Sequence, residues 1–135
     1  MEKIAIYLRT LQLYGQNAHN LDQGQSFFAD HEALGAFYEA AGCGYDMVIE
    51  RMIGLDIIPD LQKLHKKVAE IIQVLDHKPD AKSFFRNILK LEQKLCSEIE
   101  ECVNSGKYSE GTNQLIGELA NQSESRQYKI KQRLK

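Results

Sequence analysis

The chain has 135 residues, of which 43% are apolar, and its 19 acidic and 17 basic residues give a net charge of −2. This length and apolar content fit one folded domain with its own core, and they exclude a disordered chain or a miniprotein held by disulfides. The nearly balanced charge gives no overall attraction to nucleic acid or to an anionic membrane, so any such surface has to be local.

The first helix is predicted over about residues 2–21, and the polar turn around Gly24 ends it. Its buried face is predicted from apolar residues that recur at helical spacing, namely Ile4, Leu8, Leu11 and Ala18.

The second helix is predicted from Phe27 to about Leu55, and Ser26 can cap it by accepting a hydrogen bond from a backbone N–H. Small residues replace the large apolar stripe in the middle of this helix: Gly35, Ala36, Ala40, Ala41, Gly42 and Gly44. Each glycine costs a helix about 1 kcal/mol relative to alanine, so we expect the missing side chains to let another helix approach closely.

A short amphipathic helix is predicted between the two prolines, Pro59 and Pro79, because proline disfavours helix just before it. A long helix then follows Asp80, which can cap it, and a last long helix begins near Ser109. No segment alternates with period two, and no internal repeat is visible. The sequence therefore predicts a single all-α domain over residues 1–135, with four long helices and a short additional helix between the second and third.

The three cysteines, Cys43, Cys96 and Cys102, are an odd number at irregular spacing, and no secretory leader pattern is recognisable. They are predicted to be reduced, buried thiols in a cytoplasmic protein. No apolar run reaches the roughly 18 residues that cross a bilayer, so we expect a soluble protein with no membrane partner.

The histidines and carboxylates form a pattern of their own. Metal-binding bundles of the ferritin type place Glu-x-x-His on two helices, and this motif is absent here, which argues against an iron site inside one bundle. His65 and His77 carry no spacing signal and are predicted to be exposed or hydrogen-bonded. The remaining set reads, in chain order, His19, Gly24, Phe27-Phe28, His31-Glu32, Tyr38, Asp46 and Glu50-Arg51.

This order resembles the ferroxidase region of the Dps-like mini-ferritins, within the ferritin-like superfamily. In that family two histidines of one subunit bind iron together with an aspartate and a glutamate of its two-fold mate. The resemblance implies that His19 and His31 of one copy, with Asp46 and Glu50 of another, are the metal-binding and catalytic residues. Outside residues 19–51 the chain resembles the family in its helix lengths and in the short helix marked by the prolines, and it shares no residue motif there.

The resemblance also implies a ferritin-like four-helix bundle and an oxidoreductase activity of the ferroxidase kind. Ferrous iron would be oxidised by peroxide or dioxygen to a ferric mineral, and this iron would be stored in a shell. The homo-oligomer implied is a dodecamer built from two-fold dimers.

Helix geometry supports a shared site independently. His31 and Asp46 are fifteen residues apart on one predicted helix, or roughly 22 Å, so they cannot bind the same ion within one chain. Two antiparallel copies that cross near residue 39 or 40 bring His31 of one copy to Asp46 and Glu50 of the other. Asp46 and Glu50 share a helical face, and this ligand set suits ferrous iron, zinc or manganese.

Two positions depart from the family pattern. Gly35 stands where the family has an aspartate, and Asn20 stands where it has a tryptophan. The lost carboxylate predicts one tightly bound iron and a weak or absent second one. Glu32 and Glu39 are poor replacements, because Glu32 points about 100° away from His31 and Glu39 lies roughly 12 Å along the helix axis.

The end of the chain is basic, with five cations and no acid: Arg126, Lys129, Lys131, Arg133 and Lys135. Such a run is usually a solvated helix end, but many copies on a shell could also bind DNA phosphates. The alternative function is therefore a non-catalytic helical bundle that has partly lost its iron site and acts as a DNA-binding or scaffold protein. A zinc or manganese scaffold is a third reading of the same ligands.

Overall fold

Five α-helices and no strands make up the chain, which the computed structural model describes from residue 1 to residue 135. The helices are α1 (Glu2–Leu21), α2 (Phe27–Gly54), α3 (Leu61–Gln73), α4 (Ala81–Asn104) and α5 (Glu110–Leu134). The prediction of an all-α chain with four long helices and one short one between the second and third is confirmed. None of the helices combines the length and apolar character that crossing a membrane requires.

Side-chain caps begin two of the long helices at the predicted residues. The Asp80 carboxylate accepts from the backbone N–H of Ser83, and the Ser109 hydroxyl accepts from that of Thr112. Ser26 precedes α2 as predicted, but the predicted capping bond is wrong. Its backbone, at φ −94° and ψ 14°, lies outside the extended region that a capping serine adopts.

The four long helices form a ring, because α1 packs against α2 and α4, and α5 packs against α4 and α2. The two remaining pairs, α2 with α4 and α1 with α5, are therefore diagonal, and the outer faces of α2 and α4 look to opposite sides of the bundle. The short helix α3 lies along α1 at one edge and buries Leu64 and Val68.

Large side chains fill the centre of the ring, among them Leu8, Leu34, Met52, Phe84, Ile88, Leu95, Ile116 and Ile130. Tyr14 is buried with them, and its hydroxyl donates to the backbone oxygen of Asp76 at 2.7 Å and accepts from Asn87 Nδ2 at 2.8 Å. Burial raises the pKa of Tyr14, so the hydroxyl remains a donor. These bonds attach the turn between α3 and α4 to the core.

The small residues of α2 let α1 and α5 approach it within the same chain. A Cβ atom on Gly42 would lie 2.7 Å from Gln12 Nε2. A Cβ atom on Gly44 would lie 3.2 Å from both Leu8 Cδ2 and Leu119 Cδ2. These two glycines thus make room for side chains of their own chain, whereas the prediction was the approach of another backbone, and they are not evidence for contact with a second copy.

The thiols are less buried than the sequence predicted. Cys43 is exposed, because it lies on the outer face of α2, whereas Cys96 and Cys102 are half-buried. All three are free thiols. Burial raises the pKa of Cys96, which accepts a hydrogen bond from Gln127 Nε2 at 3.4 Å.

A buried ion pair joins α4 to α5. Arg126 Nε and Nη2 donate to the two carboxylate oxygens of Glu92 at 2.6 and 3.0 Å, and the Ser123 hydroxyl donates to one of these oxygens at 2.6 Å. The side chains of Glu92 and Arg126 are 1% and 10% exposed. Both oxygens of this buried carboxylate are therefore satisfied, all three bonds being charge-assisted.

Candidate metal site

The turn between α1 and α2 brings two histidines face to face. Helix α1 ends at Leu21 and α2 begins at Phe27, and Gly24 between them has a φ of 103°, which glycine adopts without strain. His19 and His31 consequently stack, with ring centroids 3.6 Å apart and an angle of 22° between the planes.

Each imidazole is fixed by the backbone of the other histidine. His19 Nδ1 lies 2.8 Å from the carbonyl oxygen of His31, and His31 Nδ1 lies 2.9 Å from the carbonyl oxygen of His19. Because a carbonyl can only accept, Nδ1 carries the proton in both rings. In the neutral imidazole this leaves the Nε2 lone pair free, and an Nδ1–H bonded to a carbonyl is the usual support of a metal-binding histidine.

Two further rings hold the histidine pair from either side. Phe27 packs on His31 at a centroid distance of 4.8 Å, and the edge of Tyr38 meets His19 at 5.4 Å. The neighbouring Phe28 of the sequence motif is 87% exposed and takes no part in this stack. Both imidazoles are thus held in orientation by packing as well as by hydrogen bonds.

We expect the tautomers of these histidines to be visible by 15N NMR at a pH where the rings are neutral. In His19 and His31 the unprotonated nitrogen should be Nε2. His77 is an internal control, because its Nε2 lies 3.0 Å from the carbonyl oxygen of Ile72 and its free nitrogen should be Nδ1. An unprotonated Nδ1 in His19 or His31 would contradict the proposed arrangement.

Gly35 packs directly against the ring of His19. A Cβ atom at this position would lie 3.2 Å from Cε1 and 3.3 Å from Nδ1 of that imidazole. These distances are shorter than an ordinary carbon contact, so any larger residue would displace the ring. The imidazole of His19 thus occupies the space that a side chain at position 35 would need.

The two predicted acidic ligands lie far from the histidines of their own chain. Helix α2 is continuous, so the fifteen residues from His31 to Asp46 span about 22 Å. Asp46 and Glu50 are both exposed, and neither forms an ion pair within the chain. No three His, Cys, Asp or Glu side chains of one chain are placed to hold a metal ion together. One chain thus contains two candidate half-sites, an imidazole pair and a carboxylate pair.

The outer face of α2 carries both acidic ligands. Its exposed residues include Glu32, Ala36, Glu39, Cys43, Asp46, Met47 and Glu50. The stretch between the half-sites carries the small Ala36 and Cys43 together with the larger Glu39, which lies at the predicted crossing point. Glu32 and Glu39 point to solvent, and neither is in an ion pair.

Asp22, which follows α1, is a buried acid that the sequence did not reveal. It is 5% exposed, and both carboxylate oxygens are buried without a hydrogen-bond partner. Burial raises the pKa of Asp22, and the nearby charge of Asp30 raises it further. Asp30 is itself paired with Arg133 through two bonds of 2.9 Å. No sequence signal marks this residue, because an aspartate after a helix usually lies in a solvated turn.

We expect Asp22→Asn to increase the free energy of unfolding near neutral pH and to increase it less in acid. The pKa of Asp22 is raised in the folded state, so its contribution to stability is present below the unfolded value of about 3.9 and is lost as the pH rises through the folded value. Asparagine has a similar shape and does not titrate. Urea unfolding of both proteins across the acid range measures the difference, and a difference that falls with rising pH would contradict the assignment.

The basic end of the chain has fewer free charges than its sequence suggests. Arg126 is paired with Glu92, and Arg133 is paired with Asp30. Three lysines of this tail remain exposed and unpaired, namely Lys129, Lys131 and Lys135. The support for DNA binding by this tail is correspondingly weaker.

No protein-family model matches the chain, and no curated protein is significantly similar to it. The structure shows a bundle of five helices with an imidazole pair at one end of α2 and a carboxylate pair nearer the other. The geometry of these half-sites is therefore the basis on which a function can be inferred.

Proposed function

We propose that the chain is a mini-ferritin of the Dps-like kind, with a ferritin-like bundle, which binds and oxidises ferrous iron between two copies of itself. The iron would lie between His19 and His31 of one copy and Asp46 and Glu50 of the other. The observation that carries this proposal is the histidine pair, whose two Nδ1 atoms are occupied by carbonyl oxygens while both Nε2 atoms remain free.

The donor atoms suit iron as the substrate. Imidazole nitrogen and carboxylate oxygen are both good ligands of Fe(II), and Asp46 and Glu50 lie one helical turn apart, so their oxygens can converge on one ion. Because Gly35 supplies no carboxylate, we expect one strongly bound iron at each site and a weak or absent second one. Each Fe(II) loses one electron to peroxide or dioxygen, and the ferric product is stored as mineral.

The second copy is expected to dock on the outer face of α2. An antiparallel crossing near residue 39 or 40 places His31 and Asp46 at nearly equal distances, about 12 and 10 Å, on either side of the two-fold axis. The exposed acids of the two copies repel each other at this face, and a bound cation would remove part of that repulsion. A closed shell of about twelve copies, in the cytoplasm, would then retain the mineral.

The test is the oxidation of Fe(II) by peroxide, followed through the ferric absorbance. Wild-type protein should oxidise iron, and the double variant His31→Ala with Asp46→Ala should lose this activity because both half-sites are broken. A matched control is His65→Ala with Glu100→Ala, two exposed residues outside the site. If wild type and the His31/Asp46 variant oxidise iron alike, the assignment of the site is wrong.

Two further measurements separate this proposal from its alternatives. Zinc or manganese bound at the same residues without iron oxidation would support a metal-binding scaffold. A protein that assembles but neither binds nor oxidises iron would support a non-catalytic bundle. In solution the site requires at least a two-fold dimer, since a stable monomer leaves every site half built, and the proposed shell predicts about twelve subunits.

A further inference from the structure

Phe28 is the most exposed of the large apolar residues of the chain. It is 87% exposed, and the one aromatic ring beside it is that of Phe27, at a centroid distance of 5.6 Å. Phe28 lies eighteen residues before Asp46 on α2, or five full turns, so both residues are on the outer face of this helix. A phenyl ring on a rigid helix gains free energy when a second surface removes it from water.

A cleft opens at the other end of the same helix, between the end of α2 and the start of α5. Its volume is about 420 Å³, and its lining includes the apolar Met47, Leu55 and Leu115 together with Arg51. A cavity of about 150 Å³ is enough to bind benzene, so a phenyl ring fits here. Gly54 also lines the cleft, and a Cβ atom on it would meet nothing within 4 Å. No side chain of the same molecule therefore fills this space.

The ring and the cleft match the two-fold axis of the proposed iron site, and this step rests on that proposed function. Phe28 and Arg51 lie on opposite sides of a crossing between residues 39 and 40, each about 17 Å from it along α2. Phe28 of one copy is therefore level with the cleft of the other copy, and the two-fold axis repeats the contact. The crossing was placed from the histidines and acids without reference to Phe28, so the two matches are separate observations.

The charges beside the ring and the cleft are complementary. Arg51 is the only lysine or arginine of α2, and it forms no ion pair within the chain, while its Nη1 donates to the Thr112 hydroxyl at 3.0 Å. A guanidinium is attracted to the face of an aromatic ring. Glu32, about one turn after Phe28, is an exposed acid that also lacks an ion pair. The ring and the acid of one copy thus complement the cation in the cleft of the other.

We propose that Phe28 of each copy inserts into the cleft of a second copy of this chain, beside Arg51, and acts as a positioning residue of the shared site. Glu50 lines the same cleft, and Phe28 is three residues before His31. Insertion would therefore hold the carboxylates of one copy against the imidazoles of the other. Aromatic anchors of this kind often carry much of the binding free energy of an interface.

The first test uses tryptophan fluorescence, because the chain has no tryptophan of its own. The emission of Phe28→Trp in the folded, assembled protein should be shifted to shorter wavelength than in the unfolded protein. Adding Gly54→Gln, whose Cβ atom meets nothing in its own chain, should fill the cleft and abolish this shift. The matched control is Val74→Trp, at a position that is 82% exposed, and its emission should be insensitive to Gly54→Gln.

The second test cross-links the protein without iron, using a short bis-maleimide. The variant carries Phe28→Cys and Gly54→Cys, with Cys43→Ser to remove the exposed native thiol. Residues 28 and 54 are about 39 Å apart on α2, so the reagent cannot join them within one chain. Two links between the same two copies should stop the product at a dimer on a denaturing gel. The control pair, Val74→Cys with Gly54→Cys in the same background, should give no such dimer.

Several outcomes would overturn the inference. One is a solvent-exposed emission of Phe28→Trp in protein whose mass shows that it is assembled, and another is a shift that Gly54→Gln leaves unchanged. A ladder of cross-linked products beyond the dimer would contradict the two-fold contact. Iron oxidation that requires two copies, with the Phe28→Trp indole still in water, would reject this inference and retain the shared site. Dimers linked through position 28 in a protein that oxidises no iron would support this inference and reject the proposed function.

Discussion

Mixing two inactive variants is expected to restore part of the iron oxidation. One variant lacks both histidines (His19→Ala, His31→Ala), and the other lacks both acids (Asp46→Ala, Glu50→Ala). Each alone has no complete site. A mixed two-fold dimer contains one site with all four wild-type side chains and one with none, so a random mixture should recover about a quarter of the wild-type sites.

The measurement is the rate of Fe(II) oxidation after the two variants are unfolded together and refolded, compared with the sum of the separately refolded variants. Recovery shows that the ligands come from different copies, because no rearrangement within either variant can supply the missing type of side chain. A mixture with no activity, in which mixed dimers are demonstrated by mass, would contradict the shared site. Retained activity in either variant alone would show that its mutated residues are not required.

Removing Arg126 is expected to lower the free energy of unfolding by about 3 to 5 kcal/mol, because it leaves a buried charge without compensation. The remaining carboxylate of Glu92 is 1% exposed, and the Ser123 hydroxyl satisfies only one of its oxygens. Urea unfolding of Arg126→Ala measures the loss. Arg133→Ala is the comparison, because the 31% exposed Arg133 side chain can be replaced in part by water and its removal should cost less.

A second variant separates the charge from the packing. Replacing both partners with methionine keeps much of the volume and removes both charges, and such changes are often neutral or stabilising. We therefore expect Glu92→Met with Arg126→Met to be close to wild type in stability. If Arg126→Ala also lies within about 1 kcal/mol of wild type, the pair is exposed in solution and its burial is not as described.

The helix order was predictable because the signals that set it are local. Apolar periodicity gave α1 its range, and the prolines separated α3 from its neighbours. Asp80 and Ser109 began their helices through bonds to residues only three positions away. Contacts that join distant parts of the chain left no such signal. Arg133 was expected to be a free charge in the basic tail, but it forms an ion pair with Asp30, which is 103 residues away in the sequence.

The candidate site was predictable in its members but not in its geometry. The sequence singled out His19 and His31 from spacing and resemblance, whereas their mutual bonds depend on how two antiparallel helices meet. From the sequence, Gly35 was interpreted as the loss of a metal ligand. Only the structure shows that the imidazole of His19 packs against it. Cys43 was expected to be buried like the other two cysteines, but its exposure depends on which side of α2 faces the core.

The reciprocal bonds of His19 and His31 also bear on how strongly the proposed site could bind a metal ion. Both imidazoles are oriented before any ion arrives, so binding does not have to restrict their rotation, which for a mobile side chain costs about 0.5 to 1.5 kcal/mol. The carboxylates of Asp46 and Glu50 are exposed and lack this restraint. At the proposed site an ion would thus cost less side-chain entropy at the imidazoles than at the acids of the neighbouring copy.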